Sequence, residues 1–248
     1  MKQTYTVCCW SGGKDSSASI ILDYLTDRKI DEIVFCEVMY DNSRGISGEN
    51  PLLMDFIEKT AIPRFEKWGY KVTVLRSKKY DYLTYFYHIV EKAKNPMNNG
   101  RKAGFPLIGS CCAIKRDCKI KAINEYLRTL KAQYELVEVI GICADETNRL
   151  ESMHKNDNHY SILELMGYTK EMTKPLCEQY GLLSQSYSLS NRGGCFFCPW
   201  ASKNELAYLK HTNLPLWEEF IALEKVEGIV ACKWNPFKES LHELDSQF

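Results

Sequence analysis

Ser11-Gly12-Gly13-Lys14-Asp15-Ser16 constrains the fold of this chain more than any other stretch. The apolar run Tyr5-Thr6-Val7-Cys8-Cys9-Trp10 precedes it and reads as a strand, while residues 17–24 carry a helical pattern. A strand, a glycine turn and a helix N-terminus in that order form a cradle for an anion. Two glycines let consecutive backbone N–H groups point into one concavity, and the helix dipole adds partial positive charge there. Lys14 would supply a full charge, and Ser11, Ser16 and Ser17 would offer hydroxyls. The pattern is not the Walker loop, which is longer and places Lys-Ser/Thr after its second glycine, nor is it G-x-G-x-x-G.

Around this turn the pattern alternates. Strands are expected over residues 4–10, 31–39, 70–76 and 136–142, and helices over 15–27, 50–68, 80–94 and 111–130, with a polar loop at 95–104. Strands separated by helices imply right-handed crossovers and an α/β, doubly wound, mostly parallel sheet. Ligands of such sheets sit beyond the carboxyl ends of the strands, where Ser11, Asp41 and Asp145 fall. After residue 150 the strand signal fades, and helices near 170–180, 202–211 and 215–226 suggest a C-terminal helical lobe. The expected division is therefore 1–150 for the nucleotide-binding part and 151–248 for the lobe.

The 248 residues suffice for one large α/β domain with a buried core, with or without a small appendage. Lysine plus arginine equals aspartate plus glutamate at 32 each, so bulk charge leaves no footprint for nucleic acid or an acidic membrane. No apolar stretch approaches the ~20 residues of a membrane span, and the opening residues lead straight into a strand, so the chain is expected in the cytoplasm. In a reducing compartment its 11 cysteines point to metal binding or thiol chemistry wherever they cluster. Cys8, Cys9, Cys36, Cys143 and Cys177 lie in apolar patterns and read as small buried hydrophobes.

The pair Cys195-Phe-Phe-Cys198, after Arg192-Gly-Gly and before Pro199-Trp200, has metal-knuckle spacing. Two intervening residues let both thiolates face one ion or cluster. The missing ligands are expected at Cys111 and Cys112, at a loop-to-helix junction where the helix N-terminus favours thiolates. Lys115 and Arg116 lie one turn on and could balance an anionic cluster. Cys118 ranks behind these as a helix-face thiol or reserve ligand, because on a continuous helix it rises roughly 9–10 Å beyond them. Four soft ligands suit a [4Fe–4S] cluster or tetrahedral zinc. Adjacent thiolates crowd one small ion and sit more easily on separate iron corners, which favours the cluster and keeps zinc as the alternative.

The Ser11–Ser16 turn resembles the PP-loop of the adenine-nucleotide α-hydrolase superfamily. Together with Cys111-Cys112 near Lys115-Arg116, Gly141-Ile-Cys-Ala-Asp-Glu-Thr-Asn-Arg149 and Arg192-Gly-Gly-Cys-Phe-Phe-Cys-Pro199, it is similar to the phosphoadenosine phosphosulfate (PAPS) reductase family over roughly residues 5–200. The two cysteine pairs are similar to those of its iron–sulfur adenylyl sulfate reductases. The resemblance implies that residues 11–17 (Ser11, Gly12, Gly13, Lys14, Asp15, Ser16, Ser17) line a phosphate or sulfate pocket, and that Asp145, Glu146 and Arg149 border the nucleotide. Arg149 can neutralise such an anion by a bidentate contact. Asp15 or Asp145 could hold Mg²⁺ if the nucleotide is ATP. Lys14, Asp15, Asp145 and Arg149 are thus the candidate catalytic residues. Asp145-Glu146 could equally be a helix cap with a first-turn acid, and Asp41 could be a ligand or a turn former.

Sulfonucleotide reductases carry a nucleophilic cysteine in a C-terminal Glu-Cys-Gly-Leu-His-like motif, whereas this chain reads Glu239-Ser-Leu-His-Glu-Leu-Asp-Ser-Gln-Phe248. Cys232 is the one cysteine after Cys198, and its apolar surroundings favour a buried thiol. The expected function is therefore adenine-nucleotide-dependent sulfur chemistry: adenylation with pyrophosphate release and sulfur transfer, with nucleic acid a candidate acceptor and a separate protein the sulfur or electron donor. The alternatives are a sulfonucleotide reductase using Cys232 or a partner thiol, and a non-catalytic nucleotide- or cluster-sensing module. Tyr80, Tyr82, Tyr85, Phe86 and Tyr87 could stack on bases, but an apolar helix stripe explains them more simply. Lys94, Arg101 and Lys102 read as a solvated loop, and the five histidines have no ligand spacing.

Overall fold

The strand–helix alternation builds a five-stranded sheet in the order β5-β2-β1-β7-β8, as seen in a computed structural model that describes residues 2–26, 29–106 and 112–248. Strands are numbered along the chain: β1 (Thr4–Trp10), β2 (Glu32–Glu37), β5 (Lys71–Arg76), β7 (Glu135–Val139) and β8 (His159–Tyr160). β1 pairs in parallel with β2 and with β7, and β7 pairs in parallel with β8. Every residue of β2 is buried, as expected of a strand covered on both faces by helices. The chain leaves β1 toward β2 and β5, then returns on the other side of β1 as β7 and β8. The order therefore reverses between β1 and β7, and the crevice at their carboxyl ends is where a doubly wound sheet takes its ligand. The strand expected after residue 136 ends at Val139, and β8 is a short strand that the sequence did not signal.

The described chain parts into two compact units, each built from three stretches. One comprises Met1–Cys36, Leu52–Leu75 and Ile123–Gly193, and the other Glu37–Pro51, Arg76–Ala122 and Gly194–Phe248. The cut expected at residue 150 divides the chain differently. Helices Thr147–Met153 and Lys170–Gln179 belong to the sheet-bearing unit, and the Cys195–Cys198 turn to the other. The first unit packs Trp10, Phe35, Phe56 and Phe65 with the apolar face of helix α1 (Lys14–Leu25). The second packs Tyr40, Tyr82, Phe196, Phe197, Phe220 and Trp234. It also holds two small sheets, antiparallel β3 (Met39–Asp41) with β4 (Ile46–Ser47), and parallel β6 (Lys102–Gly104) with β9 (Ile229–Ala231).

Two expected elements differ in the second unit. The aromatic helix covers only Tyr82–Tyr87, because the backbone at 88–90 pairs instead with 100–103 through Ala103 N–H to His88 O (2.8 Å) and Val90 N–H to Arg101 O (2.9 Å). The polar loop consequently contains β6. The helix expected from residue 111 has a π-helical stretch at Lys115–Ile120 before the regular Lys121–Gln133. No helix among the described residues is long and apolar enough to cross a membrane.

Candidate functional site

β1 ends at Trp10, and the chain turns through Gly12 at φ 77°, a left-handed angle that favours glycine. A Cβ there would also lie 3.1 Å from the Leu53 and Ile57 side chains. Gly13 then caps α1 in an extended conformation with no side-chain cap. Lys14, Asp15 and Ser16 therefore enter the first turn with N–H groups that have no intrahelical acceptor. Lys14 N–H donates to the Tyr187 hydroxyl at 3.0 Å. The Ser11 and Ser16 hydroxyls lie 3.1 Å apart, and Ser16 Oγ donates to Gly13 O at 3.1 Å, which holds the turn closed. Ser17 differs from its expected place. It is fully buried, and its Oγ accepts the Trp10 indole N–H at 2.9 Å, so it locks β1 to α1.

A cavity of about 260 Å³ opens at this turn, lined by Ser11, Gly13, Lys14, Asp15, Ser16 and, from beyond β7, Ile140, Gly141 and Arg149, with Cys9 and Tyr187. It lies at the reversal point of the sheet. A Cβ on Gly141 would stand 2.9 Å from Ser16 Cα and N, so glycine is what lets the exit of β7 pass over the first turn of α1. Tyr187 is also a wall of a neighbouring depression of about 520 Å³ lined by Lys174, Ser184 and Gln185.

Lys14 Nζ is tied down within this site. It pairs with Asp15 Oδ1 at 2.5 Å and donates to Thr173 Oγ1 at 2.9 Å and Lys170 O at 3.3 Å. Thr173 Oγ1 lies 2.8 Å from the same Asp15 oxygen. Asp15 thus offsets the Lys14 charge, and Arg149 is the other cation of the lining. Arg149 Nη1 pairs with Glu146 Oε1 at 2.7 Å, and Lys170 Nζ reaches the same oxygen at 3.0 Å. Burial pushes the Glu146 carboxyl up, but Arg149, Lys170 and the Cys143 N–H outweigh it and hold the group down to about 2. Burial dominates at the two thiols nearby, where Cys143 and Cys177 are each pushed up to about 12. Asp145 accepts the Lys170 N–H at 3.1 Å and does not cap the helix that follows, whose N-cap is Glu146. Neither Asp145 nor Glu146 lines the cavity. Tyr187, Thr173 and Lys170 were not legible as site residues, because they come from a segment without a motif.

Asp41 belongs to the other unit. Its carboxylate accepts from Ser43 N (2.8 Å), Ser43 Oγ (2.6 Å) and Arg44 Nε (2.5 Å), which is the turn-forming arrangement. Burial raises Asp41, and these hydrogen bonds outweigh it and bring it to about 2.

The cysteine turn is built inside this second unit. Phe196 N–H donates to Gly48 O at 2.9 Å, Asn50 N–H to Gly194 O at 2.9 Å, and Trp234 Nε1 to Phe197 O at 2.8 Å. Phe196 and Phe197 are buried, so the two residues between the cysteines anchor the turn to the core. Gly48 is required, since a Cβ there would fall 2.5 Å from the Phe197 ring. Burial pushes the Cys195 thiol well above its usual range, with Glu49, Cys198 and Cys112 adding to the rise and Lys119 opposing it. Cys112, Cys195 and Cys198 therefore share one electrostatic neighbourhood. The cation it feels is Lys119, while Arg116 is paired with Asp117 at 2.6 Å. Among the described residues no three His, Cys, Asp or Glu side chains converge on a single metal ion. Cys111, the fourth expected ligand, lies outside the described residues. Cys118 is buried in the apolar cluster as a core thiol. Cys232 is exposed just past β9, not buried as its sequence surroundings suggested.

The chain matches no protein-family model and no curated protein sequence.

Proposed function

We propose that the chain is a PP-loop enzyme of the PAPS reductase type, acting in adenine-nucleotide-dependent sulfur chemistry. The cavity at the sheet reversal between β1 and β7, lined by Ser11, Lys14, Ser16 and Arg149, is the observation that carries this reading. At about 260 Å³ it is smaller than the 300–1,000 Å³ typical of sites for whole drug-sized ligands, which suits the anionic end of a nucleotide. The first-turn N–H groups of α1, Lys14 and Arg149 bind that end. As a substrate oxygen attacks the α-phosphorus and the bond to pyrophosphate breaks, the same groups hold the charge that gathers on the leaving group. An arriving anion competes with Asp15 for Lys14 and frees this carboxylate for Mg²⁺, with Asp145 the second candidate.

Cys111, Cys112, Cys195 and Cys198 are the residues proposed to hold a [4Fe–4S] cluster, which would relay sulfur or electrons when bound. The chemistry of the donor set suits such a centre: Cys112, Cys195 and Cys198 are soft sulfur donors in one electrostatic neighbourhood, the kind that iron and zinc take. Zinc is the alternative occupant. Purification under anaerobic conditions followed by iron, zinc and sulfide analysis decides between them. ATP and Mg²⁺ should yield AMP and pyrophosphate, and nucleotide binding without turnover would favour a sensing module instead. The exposed Cys232 thiol favours one second reading, a sulfonucleotide reductase. It requires thiol-dependent release of AMP and sulfite from adenylyl sulfate, lost in Cys232→Ser.

A further inference from the structure

The second unit contains a buried hydroxyl with no partner among the described residues. Tyr82 is fully buried, and its phenolic oxygen makes no hydrogen bond among the described residues. Its ring is fixed from several sides. It stacks on Phe197 at 4.0 Å and on Tyr40 at 5.5 Å, and meets Phe220 edge-on at 6.3 Å. Asp81 caps the short helix that Tyr82 opens by accepting the Thr84 N–H at 2.7 Å, so the backbone is held as well. A phenylalanine would satisfy all of this packing and bury no orphan donor. Buried polar groups are paired in folded proteins, so an exception calls for a missing acceptor.

The neighbourhood names that acceptor. Phe197, the ring in closest register with Tyr82, lies between Cys195 and Cys198 in the chain. After burial and Tyr40, the groups whose ionisation would bear on the phenol are Cys198, Cys112 and Cys195, so the three sulfurs belong to its surroundings. Neutral thiols accept hydrogen bonds poorly, whereas thiolates bound to a metal centre accept them well.

We propose that Tyr82 is a positioning residue of the cysteine site, whose O–H donates a hydrogen bond to a thiolate sulfur of Cys198, Cys112 or Cys195 once a metal centre holds these side chains. The inference rests on the cluster reading above for the identity of that centre. Hydrogen bonds to cluster sulfurs raise the reduction potential, because they stabilise the more negative, reduced state.

The test uses the full chain, wild type and Tyr82→Phe, purified and reconstituted without oxygen, with iron and sulfide counted and the midpoint potential measured. Tyr82→Phe keeps the ring and its stacking. It should bind the same iron and sulfide as wild type but show a lower midpoint, so that the reduced-to-oxidised ratio at a fixed potential falls about tenfold, or ~59 mV for one electron. A merely structural role would change stoichiometry or melting and leave the potential of intact clusters where it was. An unchanged potential overturns the proposal. Wild type that takes up no iron and sulfide sinks the cluster reading instead, and Tyr82 is then judged with cobalt(II). The thiolate-to-cobalt charge-transfer band should move to lower energy in Tyr82→Phe, and a band that stays put overturns the proposal. Wild type that binds neither overturns both.

Discussion

Replacing Gly141 by alanine tests whether the cavity at the β1–β7 reversal depends on a close crossing of backbones. The new Cβ would stand 2.9 Å from Ser16 Cα and N, whereas comfortable carbon contacts lie at about 3.5–4.0 Å. The two segments must then separate by roughly 0.5–1 Å. Neither side yields easily. Ser16 is in the first turn of a 12-residue helix, and the Gly141 segment continues β7, which is paired on both sides. Overpacking of this kind costs about 1–3 kcal/mol. Against it, removing a glycine stiffens the unfolded chain and returns about 0.4–1 kcal/mol. The net expectation is a loss of about 1–2 kcal/mol, which for a chain of this size lowers the melting temperature by roughly 2–8 °C. Because the displaced atoms belong to the cavity wall, pyrophosphate affinity, read by isothermal titration, should fall as well. Gly228→Ala is the control, since Gly228 sits at φ 71° with nothing within 4 Å of a new Cβ. It should cost stability through backbone strain alone, about 1–2 kcal/mol, and leave pyrophosphate binding unchanged. A Gly141→Ala protein with wild-type stability and affinity would refute the crossing argument.

Three further outcomes are expected. Lys14→Ala should weaken ATP or pyrophosphate binding about 10- to 100-fold, the scale of one charge-assisted contact, and equal affinity in a titration would remove Lys14 from the site. Asp41, Asp117 and Glu146 are each held down to about 2, below the ordinary unfolded values of about 3.9 and 4.3, so their contribution to stability is complete above roughly pH 5 and is lost as pH falls toward 2. Urea midpoints measured from pH 6 to 3 should drop toward acid, with a shallower drop in Glu146→Gln, and a flat profile would contradict the pairing described. Gly48→Ala drives a Cβ to 2.5 Å from the Phe197 ring, so on the proposed cluster site the iron or zinc bound per chain should fall sharply, while Gly45→Ala, with open space at its Cβ, should keep the wild-type content.

What could be read from the sequence was what is local in the chain. β1, the glycine turn and α1 are consecutive, and period-2 and period-3.6 patterns change at the turn itself, so the cradle was legible to within a residue. The Cys195–Cys198 turn was legible for the same reason, since its glycines and buried phenylalanines are adjacent. Contacts between distant segments left no such trace. Ile89 is an apolar residue in a helical pattern, and only its bridge to Lys102 ends the aromatic helix early. Cys232 follows an apolar triplet, yet that triplet is a three-residue strand that ends just before it, leaving the thiol in solvent.

The Lys14–Asp15 pair shows why site chemistry is harder to read than fold. As letters, Lys14 is a charge awaiting a phosphate and Asp15 a ligand awaiting a cation. In the folded chain they neutralise each other, with the buried Thr173 hydroxyl bridging them from a helix that starts 156 positions after Lys14, at Lys170. The arrangement closes the two side chains into an ion pair, so on the proposed reading binding an anion at Lys14 and a cation at Asp15 become linked events. Either ligand must break the pair, and whichever arrives first lowers the cost for the second. Pyrophosphate affinity should therefore rise with Mg²⁺ by more than solution complexation explains, and Asp15→Asn should abolish that excess while binding pyrophosphate alone more tightly than wild type. Titrations of both proteins with and without Mg²⁺ measure this coupling, and weaker metal-free binding by Asp15→Asn would show that Asp15 orients Lys14 instead of competing for it.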